Sequence, residues 1–388
     1  MAEYLIVTWD GAGNLVPTLG TIAELRRRGN QVTVLGHDTI ADRVDPLGAR
    51  FIPLSQPPGW DELADPTDSE AEIRLMITEL SFSRAIADDV TRLLNHESFD
   101  AVVVDCLLYT AIDAAIATGA PTANLVHTPY TILRDGPLMA MFAPGIELAN
   151  AHRADLGLPP IARLGDIHDA CAMTIVAVPS EFEPPIPLAA NAVRVGPMLD
   201  APPLATELDT VDLTGEPPLV LVSMSTSEQG QAEMLNRCAT AIANLPVRAI
   251  ITTGSAVDPS TIPAGPNTQV VRYTPHTDIL PATDLVITHA GLGTTLAALG
   301  HGVPLVCLPM GRDQFFNAER VQAIGAGVML TPDAISVDAI ATAATTVLTD
   351  PTYHAKAHAL STAIATYPGA PGAAALIESL TAPAPSTP

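Results

Sequence analysis

The stretch ITHAGLGTTLAALGHGVPLVCLPMGRDQFFN, residues 287–317, carries the most information about the fold of this chain. An apolar run ends at His289, and a turn containing glycine then leads into a helix that we expect to begin near Thr294. The free backbone N–H groups and the positive dipole end of such a helix favour a bound phosphate. Gly291 and Gly293 allow the backbone to approach a ligand closely, because glycine has no Cβ. The turn therefore predicts a phosphate site, with His289 and the Thr294 hydroxyl as side-chain donors.

The second half of the same stretch predicts a neighbouring site for a sugar. The apolar run 305–308 reads as another strand, and the loop after it carries Asp313 and Gln314. If the two strands are parallel neighbours, both loops lie at the carboxyl edge of the sheet, where open α/β sheets bind ligands. A carboxylate and an amide are suited to bind sugar hydroxyls. Ser225 and Thr226, which follow a further apolar run, offer more hydroxyls at this edge.

The rest of the chain alternates apolar strands with amphipathic helices, which indicates parallel sheets covered on both faces. Turn-forming and acidic residues interrupt this pattern around residues 194–218, and the alternation then begins again at Leu219. We therefore predict an α/β protein with two doubly wound, Rossmann-like domains facing a cleft. The expected divisions are an N-terminal domain over 1–198, a linker over 199–217, a C-terminal domain over 218–381 whose last helix can pack on the N-terminal domain, and a disordered tail over 382–388.

Composition argues against several classes of partner and site. The formal net charge of −24 repels nucleic acid backbones. No apolar run approaches the ~20 residues of a membrane span, and the N-terminus lacks the features of a signal peptide, so we expect a cytoplasmic protein. The four cysteines are far apart in apolar runs, and we expect reduced core residues rather than disulfides or metal ligands. They are Cys106, Cys171, Cys238 and Cys307.

The stretch 287–317 resembles the donor-binding signature of GT-B glycosyltransferases of family GT1, in their bacterial natural-product and macrolide branch. The resemblance covers most of the chain and is strongest over 219–330. It implies a nucleotide diphosphate sugar as the donor and a small apolar acceptor, with neither a cofactor nor a metal ion. It implies that His289, Gly293 and Thr294 hold the diphosphate, that Asp313 and Gln314 hold the donor sugar, and that Ser225 or Thr226 touches phosphate.

The segment RYTPH, residues 272–276, looks like the nucleobase loop of that family. The resemblance implies that Tyr273 packs near the base and that Thr274 or His276 meets its edge, although simple core packing of Tyr273 is the alternative. Plant relatives that use UDP place a Glu eight residues after the signature His. Ala297 stands at that position here, which leaves uracil and thymine donors both open.

The acceptor side departs from the family pattern at Asn14. The loop GAGNLVP, residues 11–17, is similar to a family loop in which a His, or sometimes an Asp, at this position deprotonates the acceptor. An amide has no useful basicity, so Asn14 cannot be a general base, although it can orient acceptor or water.

Three other residues at predicted strand ends could remove the proton. Asp105 stands where the family keeps an Asp that orients the His, and it could act directly if burial raises its pKa. His127 has an ordinary pKa of about 6.5, which suits a base. Asp10 ends the first strand. We rank Asp105 first, His127 second and Asp10 third, and for each the alternative is a polar residue that merely ends a strand.

The sequence thus predicts an inverting, metal-independent transfer of a sugar by a monomer or homodimer. Residues 74–82 and 137–144 are expected to line an apolar acceptor pocket, with plain core helix as the alternative for both. Two other functions remain open at this point. One is a nucleotide-sugar epimerase or hydrolase on the same scaffold, and the other is a non-catalytic binding or auxiliary protein, which Asn14 favours.

Overall fold

The computed structural model describes residues 1–55, 74–199, 202, 208–225 and 229–381. Contacts between residues divide this part of the chain into two compact units. The first unit contains residues 1–55, 74–199, 202 and 367–381, and the second contains residues 208–225 and 229–366.

The first unit is built on a seven-stranded, all-parallel sheet with the strand order β3-β2-β1-β4-β5-β6-β7. Its strands are β1 (Glu3–Val7), β2 (Gln31–Gly36), β3 (Arg50–Pro53), β4 (Ala101–Asp105), β5 (Thr122–Val126), β6 (Met173–Val176) and β7 (Ala192–Arg194). The order reverses between β1 and β4, which is the switch point where ligands bind in open α/β sheets. The loops after β1, β4 and β5 therefore all begin at the carboxyl edge of this sheet.

Helices lie in most of the connections between these parallel strands. They are α1 (Leu15–Arg27), α2 (Ala41–Val44), α3 (Arg84–His96), α4 (Tyr109–Ala117), α5 (Tyr130–Asp135), α6 (Pro137–Phe142), α7 (Gly145–Asp155) and α8 (Gly165–Asp169). Shorter 3₁₀ segments cover Ala12–Asn14, Asp38–Ile40, Asp45–Leu47 and Ser180–Phe182, and Met76–Ser81 forms a π-helical turn.

The second unit repeats the plan with six parallel strands in the order β10-β9-β8-β11-β12-β13. The strands are β8 (Leu219–Ser223), β9 (Arg248–Thr252), β10 (Thr268–Val271), β11 (Leu285–Thr288), β12 (Leu305–Cys307) and β13 (Gly327–Met329). The helices are α9 (Gln231–Ile242), α10 (His276–Ile279), α11 (Leu292–Gly300), α12 (Gln314–Ile324), α13 (Val337–Thr349) and α14 (Pro351–Ile364), with 3₁₀ segments at Pro259–Thr261, Leu280–Ala282 and Pro332–Ala334. Here the switch point lies between β8 and β11.

The last helix, α15 (Gly369–Ser379), belongs to the first unit. Ala373, Ala374 and Ile377 on this helix are fully buried in the core that β1 and α1 form. Glu378 accepts hydrogen bonds from Arg28 and Asn30, at 2.9 and 2.8 Å. Apolar burial and these polar contacts together fix the helix on α1.

The inner strands of both sheets are buried almost throughout, as expected for parallel sheets covered on both faces, whereas the edge strands β3, β7, β10 and β13 are mostly half-buried or exposed. All four cysteines are buried, which confirms that they are core residues, and none is bonded to another in the structure. In the described ranges, every helix is too short or too polar to cross a membrane.

Two details differ from the sequence-based expectation. Helix α11 begins at Leu292, two residues before Thr294, and its N-cap is Gly291, which makes no side-chain cap bond. The extended backbone of Gly291, with φ −58° and ψ 138°, already leads into the helix, so the threonines lie within it. The strands β3, β6, β7 and β13 were not predicted from the sequence. Of these, β3, β7 and β13 are edge strands that lack a continuous buried run.

Candidate active site

His289 lies at the carboxyl end of β11 and is 7 % exposed. Burial lowers its pKa to about 4, and the nearby Arg312 charge lowers it further, against a hydrogen bond to the Ser223 backbone. The Thr288 hydroxyl lies 3.3 Å from His289 Nδ1. The ring is therefore neutral near pH 7, and it is held between the ends of β8 and β11.

Backbone strain is concentrated on both sides of this site. Among the described residues, only Ala290 (φ 66°) and Arg312 (φ 53°) have a positive φ without being glycine. One follows His289 and the other precedes Asp313. Left-handed backbone at a non-glycine residue costs free energy and is found disproportionately at functional sites. Each of the two expected ligand loops therefore contains one residue in a left-handed backbone conformation, which is typical of functional sites and which the sequence does not reveal.

The surroundings of Gly291 and Gly293 differ in whether they leave space for a side chain. A Cβ at Gly291 would lie 2.6 Å from His289 Nε2 and would push the ring away. A Cβ at Gly293 would meet no described atom within 4 Å. Gly291 is required by the packing of His289, whereas Gly293 is exposed at the first turn of α11 next to the half-buried Thr294. This first turn has N–H groups without helical partners, which suit an anion.

Gln314 is 2 % exposed, and both ends of its amide bind protein atoms. Its Oε1 accepts from the backbone N–H groups of Met310 and Gly311, at 2.8 and 3.1 Å. Its Nε2 donates to Gln229 Oε1 at 2.7 Å, and Gln229 donates to Ser225 Oγ at 2.7 Å. Gln314 therefore orders the loop after β12 and connects it to the loop after β8. The expected contact of Gln314 with a sugar stays a prediction.

Asn317 connects the two expected ligand loops and was missed by the sequence analysis. Its Nδ2 donates to the carbonyl oxygen of Ala290 and to Asp313 Oδ2, both at 3.0 Å. The residue is fully buried. The strained turn after His289 and the half-buried Asp313 are thereby fixed to one amide. The only sequence signal for it is an amide one helical turn after Asp313.

Ser225, at the end of the β8 loop, is 5 % exposed, and Gln231 Nε2 donates to its carbonyl oxygen at 3.2 Å. The structure thus places Ser225 in the same hydrogen-bonded group as Gln314, as the common-edge argument expects. Thr226 lies outside the described residues.

The expected nucleobase loop follows β10 in the same unit. Tyr273 and His276 are half-buried and Thr274 is buried, and burial lowers the pKa of His276 to about 4. Asp209 orders this loop, since its Oδ2 accepts from the backbone N–H groups of Arg272 (2.8 Å) and Tyr273 (2.9 Å). Asp209 N also donates to Tyr273 O at 2.9 Å. The sequence analysis placed Asp209 in a linker and gave it no role.

In the first unit, Asp105 is the centre of a hydrogen-bonded group at the end of β4. Its Oδ2 accepts from Asn14 Nδ2 at 2.9 Å, and its Oδ1 accepts from Leu107 N at 3.0 Å. His127 Nε2 lies 3.1 Å from Oδ1. The structure thus brings three of the four predicted acceptor-side residues together on one carboxylate.

The groups around Asp105 lower its pKa, which argues against Asp105 as the base. Burial alone would raise the pKa of Asp105, but His127, Leu107 N–H and Asn14 together hold that pKa below its ordinary value. Burial alone would lower the pKa of His127, but the Asp105 carboxylate raises it well above 6.5. The condition under which Asp105 would act directly is not met. The arrangement is instead an imidazole oriented by a carboxylate, which is the usual support of a histidine base.

Asp10 does not join this group through its carboxylate. Its Oδ2 accepts from Thr39 Oγ1 at 2.7 Å, and its Oδ1 pairs with Arg43 at 3.1 Å. Its backbone N–H donates to His37 Nδ1 at 3.2 Å. These contacts fix the loop after β1 against α2 and the segment before it, so a charged partner already holds Asp10.

Four of the described apolar residues expected around the acceptor pack as core. Ile77, Leu80 and Phe82 are buried, and Phe82 stacks on Tyr109 with ring centroids 5.1 Å apart. Phe142 is 2 % exposed and tilted against the same tyrosine. The side chains of Pro137, Leu138 and Met141 lie outside the described part of the structure. The packing agrees with the core alternative for these four residues.

Comparison with known proteins places the chain in one family. Residues 160–376 match the family model described as UDP-glucoronosyl and UDP-glucosyl transferase. The 4'-demethylrebeccamycin synthase of Lentzea aerocolonigenes is 27 % identical over 427 aligned positions, covering 98 % of this chain and 99 % of the relative.

Solved structures show the same two-sheet fold. The glycosyltransferase of kitacinnamycin superposes with a TM-score of 0.82 at 23 % identity, covering 98 % of this chain and 99 % of that one. The glycosyltransferase VinC, solved in complex with dTDP, superposes with a TM-score of 0.75 at 16 % identity over the same shares. These likenesses establish the GT-B fold. Because the family model matches more than half of the chain, this protein belongs to the UDP-glucoronosyl and UDP-glucosyl transferase family, GT1, and is a glycosyltransferase.

Proposed function

We propose that this glycosyltransferase moves a sugar from a UDP- or dTDP-linked donor to a small apolar acceptor, with inversion and without a metal ion or cofactor. The dTDP complex of VinC and the rebeccamycin-type relative support the nucleotide donor and a natural-product acceptor.

One observation carries the proposal: the Asn317 amide holds the turn after His289 and the Asp313 carboxylate together. The turn offers a neutral imidazole and the N–H groups of α11 to a diphosphate. Asp313 offers a carboxylate to sugar hydroxyls beside it. A diphosphate next to hydroxyls is the chemistry of a nucleotide sugar.

In the proposed reaction, the neutral form of His127, which predominates only above its raised pKa, takes the proton of the acceptor hydroxyl while Asp105 orients the ring. The acceptor oxygen then bonds to the anomeric carbon, and the bond from that carbon to the diphosphate oxygen breaks. A single displacement inverts the anomeric centre. The N-terminus of α11 stabilises the negative charge of the departing diphosphate in place of a metal ion.

Titration calorimetry with UDP and dTDP tests the donor site. We expect wild-type protein to bind at least one of them, and His289→Ala to lose about tenfold or more in affinity, as for a hydrogen bond to a charged group. His358→Ala, a change at an exposed histidine on α14, is the matched control and should bind like wild type. Absence of binding to either nucleotide would overturn the proposal.

A transfer assay tests the reaction itself. Mass spectrometry follows sugar attachment to a panel of polycyclic phenols and macrolactones, and NMR of the product gives the anomeric configuration. Turnover should persist in EDTA. Donor consumption that proceeds equally well without any acceptor would favour a hydrolase.

A further inference from the structure

Cys106 completes a mixed group of metal-type ligands with Asp105 and His127. A carboxylate oxygen, the thiol sulfur and a ring nitrogen of these residues all lie within 4.8 Å of one another. Among the residues that the structure describes, this is the one group of three or more such side chains with that spacing. The sequence analysis expected Cys106 to be an ordinary core cysteine, because Asp105 alone is its neighbour along the chain.

The spacing suits a tetrahedral ion. Ligands about 2.0–2.3 Å from Zn²⁺ at tetrahedral angles lie about 3.3–3.8 Å from one another. His127 Nε2 and Asp105 Oδ1 are already 3.1 Å apart. Binding of an ion would replace the contact between His127 Nε2 and Asp105 Oδ1, and it would release the protons of the Cys106 thiol and of the ligating ring nitrogen. The fourth position would remain for water, as in zinc sites with three protein ligands.

The donor set selects the kind of ion. A thiolate and an imidazole favour Zn²⁺ or Cd²⁺, whereas Mg²⁺ prefers oxygen ligands. Cys106 is fully buried, but the His127 side chain is 11 % exposed and provides the way in from solvent.

We propose that Asp105, Cys106 and His127 form a binding site for a thiophilic divalent cation, and that the bound ion inhibits sugar transfer. The second half rests on the proposed function, because inhibition follows from the ion occupying the histidine that serves as the base. Transfer itself needs no metal, so the ion acts as an inhibitor and not as a cofactor.

Cadmium titration of the full-length protein tests the site without using activity. Binding of Cd²⁺ to a thiolate produces an ultraviolet charge-transfer band, and we expect it to saturate at about one ion per chain. Cys106→Ser should abolish the band and Cys238→Ser, at a buried cysteine in α9, should keep it. Mg²⁺ in excess should not compete.

A thermal-shift measurement covers the case in which Cys106→Ser folds poorly. Ligand that binds only the native state raises the melting temperature, so Cd²⁺ should stabilise wild type and Cys238→Ser but not Cys106→Ala. A band of equal size in Cys106→Ser, or no band in wild type, would overturn the site.

Inhibition is measured against the metal-free turnover of each variant. Saturating Zn²⁺ should lower wild-type turnover by about tenfold or more, as expected when a general base is blocked, and should change Cys106→Ser by less than about twofold. If Cd²⁺ binds as described but saturating Cd²⁺ leaves wild-type turnover unchanged, the inhibitory role fails together with His127 as the base. The ion site would then stand alone.

Discussion

Asn14 and His127 bind opposite oxygens of one carboxylate. Asn14 Nδ2 donates to Asp105 Oδ2 at 2.9 Å, and His127 Nε2 contacts Asp105 Oδ1 at 3.1 Å. The family pattern places a histidine at the Asn14 position, in the loop after β1. Here the imidazole comes from the end of β5, on the other side of the same acid. An imidazole and a carboxylate in contact with it are thus both present, with Asp105 at the family's position and the imidazole at a different position in the chain.

This geometry predicts that His127→Ala loses about 10²- to 10⁴-fold in kcat, the usual contribution of a general base. Donor affinity, measured by calorimetry, should remain that of wild type because the donor residues lie in the second unit. Adding Asn14→His to His127→Ala should restore part of the lost kcat, since an imidazole at position 14 would contact the same Asp105.

The single change Asn14→His serves as the control for this rescue. It should fold and should retain transfer with His127 present. If His127→Ala keeps wild-type kcat, the base assignment is wrong, and Asp105→Asn becomes the variant to measure next.

The glycine pair in the turn after His289 predicts two different defects. Gly291→Ala should displace the His289 ring, because its Cβ would lie 2.6 Å from Nε2. Both the melting temperature and the dTDP affinity should fall. Gly293→Ala should leave the melting temperature unchanged, since its Cβ meets no described atom within 4 Å, but it should weaken dTDP binding where the backbone approaches phosphate.

Gly311→Ala, at another position without a described atom near the added Cβ, is the control for the glycine comparison. It should leave the melting temperature unchanged. Unaltered dTDP affinity in Gly293→Ala would mean that the diphosphate does not approach this turn.

The fold could be predicted because its main strands are long apolar runs and parallel strands align their carboxyl ends. That alignment alone placed His289 near Ser223 and Asp105 near His127. The start of α11 was predicted to within two residues, and its first residue could not be fixed because the Gly291 cap makes no side-chain bond. β13 is an edge strand with only one buried residue, so it carries too little apolar pattern to be distinguished from loop, whereas the equally short β12 is fully buried.

The contacts within the site were less predictable. Asn317 and Asp209 act through hydrogen bonds to the backbone of distant loops, and no periodicity encodes such bonds. The pKa of Asp105 depends on three donors that converge from different elements. A sequence shows that the carboxylate ends a buried strand, but the balance between burial and those donors exists only in the folded chain.

Buried neutral histidines predict a loss of stability in acid. The pKa values of His37, His276 and His289 are each lowered to about 4, primarily by burial. Between about pH 6.5 and 4 the unfolded chain therefore binds more protons, so the free energy of unfolding falls as pH falls through this window. From pH 6.5 to 5, each contributes at most about 2 kcal/mol.

Urea unfolding at several pH values measures this slope. His37→Asn should reduce it, because the amide oxygen can still accept from Asp10 N without becoming protonated. His358→Asn should leave the slope unchanged, since this ring is exposed. An identical slope in wild type and His37→Asn would show that His37 is not held neutral in the native state.

Asn317 is predicted to position the donor loops rather than to contact the donor. Asn317→Ala leaves the Ala290 carbonyl and the Asp313 carboxylate without this donor, at a cost of about 1–3 kcal/mol in the free energy of unfolding. Donor KM should rise more than kcat falls. Asn317→Asp should be worse for donor binding than Asn317→Ala, because it places a second negative charge beside Asp313.

Asn236→Ala removes an exposed amide from α9 and is the matched control, with no expected effect on donor KM. Equal donor KM in Asn317→Ala and wild type would show that the link between the two loops does not matter for the donor.

Asp209 predicts a defect confined to the nucleoside half of the donor. Its carboxylate accepts from two successive N–H groups in the loop that carries Tyr273, so Asp209→Ala should loosen that loop. Affinity for dTDP or UDP should fall about three- to tenfold, as expected for the loss of one or two ordinary hydrogen bonds. Inorganic pyrophosphate has no nucleobase, and its affinity should be unchanged.

Asp209→Asn retains an acceptor oxygen and should recover much of the loss. Asp258→Ala, which removes an exposed cap of Ser260 N in the same unit, controls for charge. A parallel loss of pyrophosphate affinity in Asp209→Ala would mean that the whole site is disturbed, and the nucleobase assignment of residues 272–276 would then lack support.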